Sequence, residues 1–92
     1  MAQALANLTE VVTAGEEAGQ VNPGAGNQIL HGAQDIVRTA QDGHLDDALH
    51  KVSDLQNEVD KMVEMGKITS ASRATAIRGA IQALGQALQT PP

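Results

Sequence analysis

The chain has no phenylalanine, tyrosine or tryptophan, and no cysteine. A core without aromatic rings must be built from Leu, Ile, Val, Met and Ala. Such side chains suit the gap between helices better than a sheet, because strands draw on β-branched and aromatic residues. The missing cysteines exclude disulfides, thiolate zinc sites and cysteine nucleophiles. Basic residues are scarce: six Lys and Arg stand against eleven Asp and Glu, for a net charge of −5. That balance is the reverse of the cationic footprint of a nucleic-acid binder, so no nucleic acid is expected among the partners. No apolar run approaches the roughly 18 residues of a bilayer span, so no membrane insertion is expected. The N-terminus also lacks the basic and apolar segments of a signal peptide. A length of 92 residues fits one domain, read as 1–90. Thr90-Pro91-Pro92 reads as the remnant of a linker.

What the chain does have is helical periodicity. Ile29, Leu30, Ala33, Ile36, Val37 and Ala40 recur at the spacing of one apolar stripe on an α-helix. A second stripe runs through Leu45, Ala48, Leu49, Val52, Leu55, Val59, Met62 and Val63, and a third through Ala74, Ile77, Ala80, Ile81, Leu84 and Leu88. A shorter one comprises Leu5, Leu8, Val11, Val12 and Ala18. The punctuation agrees: Asn22-Pro23 and Thr69 are expected to open helices. Gly19, Gly43 and Gly66 fall where a left-handed residue closes one. Asp46 and Asp47 sit in a first turn, where the helix dipole favours negative charge. The expected helices are 3–18, 23–42, 45–65 and 70–89.

Two stretches, "EAGQVN" at 17–22 and "EMGKIT" at 64–69, echo one another at an offset of 47. At that offset Leu8 matches Leu55, Val12 matches Val59, Gly19 matches Gly66 and Val21 matches Ile68. Each copy reads as a helix stop, a covering apolar residue and a helix start. The expected architecture is therefore an all-α four-helix bundle of two antiparallel αα-hairpins, 3–42 and 45–89, related by internal duplication. Shared punctuation of unrelated hairpins is the competing account. Gly32 and Gly79 also match at 47. Glycine inside a helix costs roughly 0.5–1 kcal/mol relative to alanine, so this pair is expected to mark a close crossing of the second and fourth helices, the alternative being a groove for a ligand.

Candidate chemistry is sparse. His44, Asp47 and His50 are the nearest approach to a metal constellation. His44 and His50, however, lie about 120° apart around a helix of 3.6 residues per turn, whereas zinc helices place ligands at i and i+4. Asp35, Asp54, Glu58 and Asp60 fall off the apolar stripes, where charges are solvated. Ser53, Ser70 and Ser72 lie in no G-x-S-x-G elbow, and "NPGAGNQ" at 22–28 lacks the Lys-Ser/Thr ending of a phosphate loop. No catalytic residue, metal or cofactor is expected. Lys67, Arg73 and Arg78 offer either a weak patch for an anionic partner or a scattered solubilising set. Val11, Ile36, Ala76 and Ala83 widen the apolar arcs beyond one core. With Arg73 and Arg78, Val11 and Ile36 form the candidate interaction surface, for a protein partner, a neighbouring domain or a second copy.

The pattern of Gly66, Ile68, Thr69, Ala74, Ile77, Ala80, Ile81 and Leu84 in "EMGKITSASRATAIRGAIQAL" resembles the bacterial helical module called FIMAH. "EEAGQVNPGAGNQIL" resembles its first turn, and Gly43, Ala48, Leu49, Leu55 and Val59 its central segment. The layout is also similar to helical tails of actinobacterial serine/threonine protein kinases. Coverage is about 5–88. The chain departs from the pattern at His44, where Asp or Asn is usual, and in its lack of aromatics. The first resemblance implies a non-catalytic accessory or interaction module of a larger, secreted or membrane-anchored bacterial protein, in an extracellular setting. The second implies a regulatory or oligomerising kinase tail.

Overall fold

An apolar stripe runs along each helix; three of the four end at a left-handed glycine, Gly19, Gly43 or Gly66, and two open at a capping side chain, Asn22 or Ser70. In the computed structural model, which describes residues 2–89, the helices are α1 (Ala2–Glu17), α2 (Pro23–Gln41), α3 (Leu45–Glu64) and α4 (Ala71–Gln89). They match the expected elements to within a residue at each end. The segment 90–92, read as linker, lies outside the described residues. Asn22 caps α2, its Oδ1 accepting from the Gly24 amide at 2.8 Å, and Pro23 occupies the first turn. The cap of α4 differs from expectation. Ser70 Oγ, not Thr69, accepts from the Arg73 amide at 3.1 Å, while the Thr69 amide donates to the Gln20 carbonyl of the other turn.

The stripes close on one another as a bundle of 36 × 21 × 18 Å. α1 packs chiefly on α4 and α2 chiefly on α3, while α1 and α3 stand on a diagonal without approaching. Leu8, Val12, Ile29, Ile36, Val59, Ile77, Ile81 and Leu84 form the fully buried centre. Each such aliphatic side chain contributes on the order of 1.5–3 kcal/mol by leaving water. Leu45 and Val63, assigned to the second stripe, are instead exposed at the two ends of α3.

The two echoing turns meet. Val21 and Ile68 form an isolated antiparallel bridge and are 3% and 2% exposed. The Asn22 amide donates to the Lys67 carbonyl at 2.8 Å, and the Thr69 amide to the Gln20 carbonyl at 2.9 Å. These are counterparts under exchange of positions 47 apart. The Gly15 carbonyl accepts from the amides of Gln20 and Val21, as the Met62 carbonyl does from those of Lys67 and Ile68. Gly19 and Gly66 turn the chain at φ 73° and 76°, a conformation that costs other L-residues about 1–2 kcal/mol.

Beyond the turns the register shifts by one. Gly26, Ile29, Ala33 and Ile36 of α2 are buried, and so are Ala74, Ile77, Ile81 and Leu84 of α4, an offset of 48. The additional residue is Thr69, which lengthens the path from Ile68 to the cap at Ser70 relative to that from Val21 to Asn22. Gly79 is therefore the counterpart of exposed His31 rather than of Gly32.

Candidate interaction surface

The register shift overturns the expected glycine crossing. A methyl group added at Gly32 would meet Leu55 Cδ1 of α3 at 3.0 Å, so Gly32 faces α3. A methyl group at Gly79 would meet nothing within 4 Å, and α2 and α4 barely touch. The close approaches are made by glycines that periodicity alone did not single out. Gly85 of α4 lies against Val52 of α3, where a Cβ would come to 3.3 Å from Cγ1. Gly15 of α1 is crossed by Val21 and the Arg73 stem, where a Cβ would come to 2.6 Å and 3.0 Å. Gly26, near the start of α2, is buried beneath Val12 and the Glu16 carboxylate. The sequence signal for Gly85 was its place beside Leu84 on the inward stripe.

The four residues of the candidate surface do not assemble into one. Ile36 is 1% exposed: its position on α2 coincides with the core stripe instead of widening it. Val11 is half-buried against the core. Arg73 is also half-buried and works as an internal cross-link. Its Nε donates to Gln20 Oε1 at 3.0 Å and its Nη1 to the Val11 carbonyl at 3.3 Å, joining α4 to α1 and the first turn. Arg78 pairs with Asp60 of α3, Nε donating to Oδ1 at 2.8 Å. Lys67, Arg73 and Arg78 thus do not form an anionic-partner patch, since two of the three cations are turned to neighbouring helices.

His31, His44 and His50 are all exposed. His44 precedes α3 without a side-chain cap bond, and His50 Nδ1 lies 3.0 Å from the Asp46 carbonyl. Among the described residues no three His, Asp or Glu side chains converge on a point that could hold a metal ion. Asp35 pairs across the helices with Lys51 at 2.5 Å. Asp54 and Glu58 are exposed on α3.

Further surface features involve α1 and α4. The exposed side of α4 consists of Ala71, Ser72, Thr75, Ala76, Gly79, Gln82, Ala83, Gln86 and Gln89, with no charged side chain among them. On its α3 side lies a shallow hollow of about 480 Å³ edged by Ser53, Gln56, Gln82, Gln86 and Gln89 over Leu49, Val52 and Gly85. Gln56 Nε2 donates there to the Arg78 carbonyl at 3.1 Å. Along the outside of α1 runs an open depression of about 680 Å³ bordered by Leu5, Ala6, Thr9, Glu10, Thr13 and Glu17. Among the described residues no helix is long and apolar enough to cross a membrane. No family model matches the chain, and neither a curated protein nor a solved structure shows similarity to it.

Proposed function

We propose that the chain is a non-catalytic helical accessory module made of two pseudo-twofold-related hairpins, α1–α2 and α3–α4. It presents the outer face of α4 to a neighbouring domain of the same polypeptide or to a protein partner. The observation that carries this reading is the absence of charge on that face. Ser72, Thr75, Ala76, Gly79, Ala83 and Gln86 are exposed and neutral in a chain of net charge −5. The centre of a protein interface is depleted of charge in the same way, and small side chains let a partner backbone come close. Gly79 gives the same indication. An interior helix glycine forgoes roughly 0.5–1 kcal/mol, and within this chain no packing contact explains it. The resemblance to FIMAH-type modules supports an accessory role beside a secreted hydrolase. The kinase-tail alternative uses the same face for self-association.

The test places charge at the centre of the face. Ala76→Glu and Ala83→Glu should leave the helix content and melting temperature of the isolated chain unchanged. In the full-length parent protein they should abolish the protection of this module from limited proteolysis that docking provides, or the capture of its partner. Asp54→Lys on α3 serves as control. If the α3 variant abolishes docking and the α4 variants do not, the reading is wrong. A mass that rises with concentration and returns to monomer on Ala76→Glu selects the kinase-tail alternative.

A further inference from the structure

The two halves of the molecule are held together by more than each half is held by itself. α1 lies mainly on α4 and α2 mainly on α3, whereas the contacts α1–α2 and α3–α4 within each half are fewer. The turn-to-turn bridge is likewise made only between halves, through Asn22–Lys67 and Thr69–Gln20. Neither half can cover its own apolar stripe. The link between them is short: Asp42, Gly43 and His44, all exposed. Gly43 reverses the chain at φ 90°, and a side chain there would meet nothing within 4 Å. No side chain caps α3 at His44, so the reversal is held by backbone bonds alone, Asp42 to Arg38, Gly43 to Ala40 and His44 to Thr39.

We propose that the interface between the halves is exchangeable, so that a second copy of this chain supplies it when the 42–44 link opens. Straightening the link joins α2 and α3 into one helix of roughly 60 Å at 1.5 Å per residue. The α1–α2 half of one copy then packs on the α3–α4 half of the other. Every contact between halves recurs between copies, including the Val21–Ile68 bridge, the Arg73 cross-link to Gln20 and Val11, and the Asp35–Lys51 pair. Only the link changes conformation. Exchange of identical elements at a short hinge is a low-cost route to a dimer, and here the hinge conformation rests on one left-handed glycine. The proposal depends on the two-hairpin reading but not on the α4 face, whose residues stay exposed in either form.

Deletion of Gly43 and His44 leaves too few residues for an αα-hairpin, which needs a loop of about 2–5. The deleted chain is expected to keep its helix content and to show twice the monomer mass by light scattering. Because the chain has no cysteine, Val21→Cys with Ile68→Cys reports which copies meet. In the deletion background the disulfide should join two chains on a non-reducing gel, and with the natural link it should stay within one. Gly43→Ala is the milder second variant, expected to populate the dimer beside the monomer. A folded monomer after the deletion overturns the proposal. So does a dimer whose disulfides are all intrachain. Unfolding of both hinge variants without any dimer overturns it as well, since the halves would then not recombine between copies.

Discussion

α3 and α4 are adjacent helices of 20 and 19 residues, with inward faces built alike and outward faces built oppositely. Leu55 and Val59 on one, and Ile77, Ile81 and Leu84 on the other, are almost wholly buried. Outward, α3 carries Asp46, Asp47, Asp54, Glu58, Asp60 and Glu64. α4 carries no acid, and its two arginines are turned to neighbours. Burial and solubility therefore account for most of α3: one face drives folding and the other is solvated, with Leu45 and Val63 left exposed at its ends. They do not account for α4, whose outer face is neither apolar enough to need covering nor charged enough to be purely solvent-facing. The difference teaches where function is to be sought.

The inward equivalence can be broken first. Leu55→Ala and Leu84→Ala should each cost about 2–5 kcal/mol, a large share of a total stability on the order of 5–15 kcal/mol, measured by chemical denaturation. A small loss at Leu84 alone would show that α4 is docked more loosely than α3. The next effect tests how α4 is fastened on its other side. Arg73→Ala removes the side-chain bonds to Gln20 and Val11 and should cost about 1–2 kcal/mol. Arg73→Lys should recover little, because an ammonium cannot span both acceptors.

Glycine substitutions separate the two faces of α4 by sign. Gly79→Ala should stabilise by roughly 0.5–1 kcal/mol, raising the melting temperature by a few degrees, at ~4–8 °C per kcal/mol for a domain this small. Gly85→Ala should lose that gain against Val52. A lowered melt for Gly79→Ala would restore a packing role for that position. The smallest effect belongs to the charged side. A double-mutant cycle on Asp35 and Lys51, whose side chains are 55% and 40% exposed, should give less than about 0.5 kcal/mol and fade with added salt.

The all-helical fold and the helix ends were legible because stripe, cap and left-handed glycine each act within a few residues. Ile29, Leu55 and Ile77 could be placed in the core from spacing alone. The glycines were only partly legible. Gly19, Gly43 and Gly66 declare themselves by position after a stripe, since positive φ is a local demand. Gly15, Gly26, Gly32 and Gly85 do not, because what presses on them is Val21, Glu16, Leu55 and Val52 from other elements. Gly79 was misread for a related reason. Thr69 adds one residue between Ile68 and the cap of α4 relative to the path from Val21 to Asn22, so the buried positions of α4 follow an offset of 48 and not 47, which only burial reveals. The candidate surface failed similarly: no local rule distinguishes a solvent-facing arginine from Arg73, which reaches back 62 residues to the Val11 carbonyl.

Sequence by itself determined that this protein is four helices of Leu, Ile, Val and Ala with two echoing turns, since each of those outcomes follows from short-range sterics and periodicity. Tertiary structure decided that the two turns pair through Val21 and Ile68, that the second helices run one residue out of step, and that the neutral side of α4 faces outward. Those outcomes depend on contacts between residues tens of positions apart, and no window along the chain contains both partners.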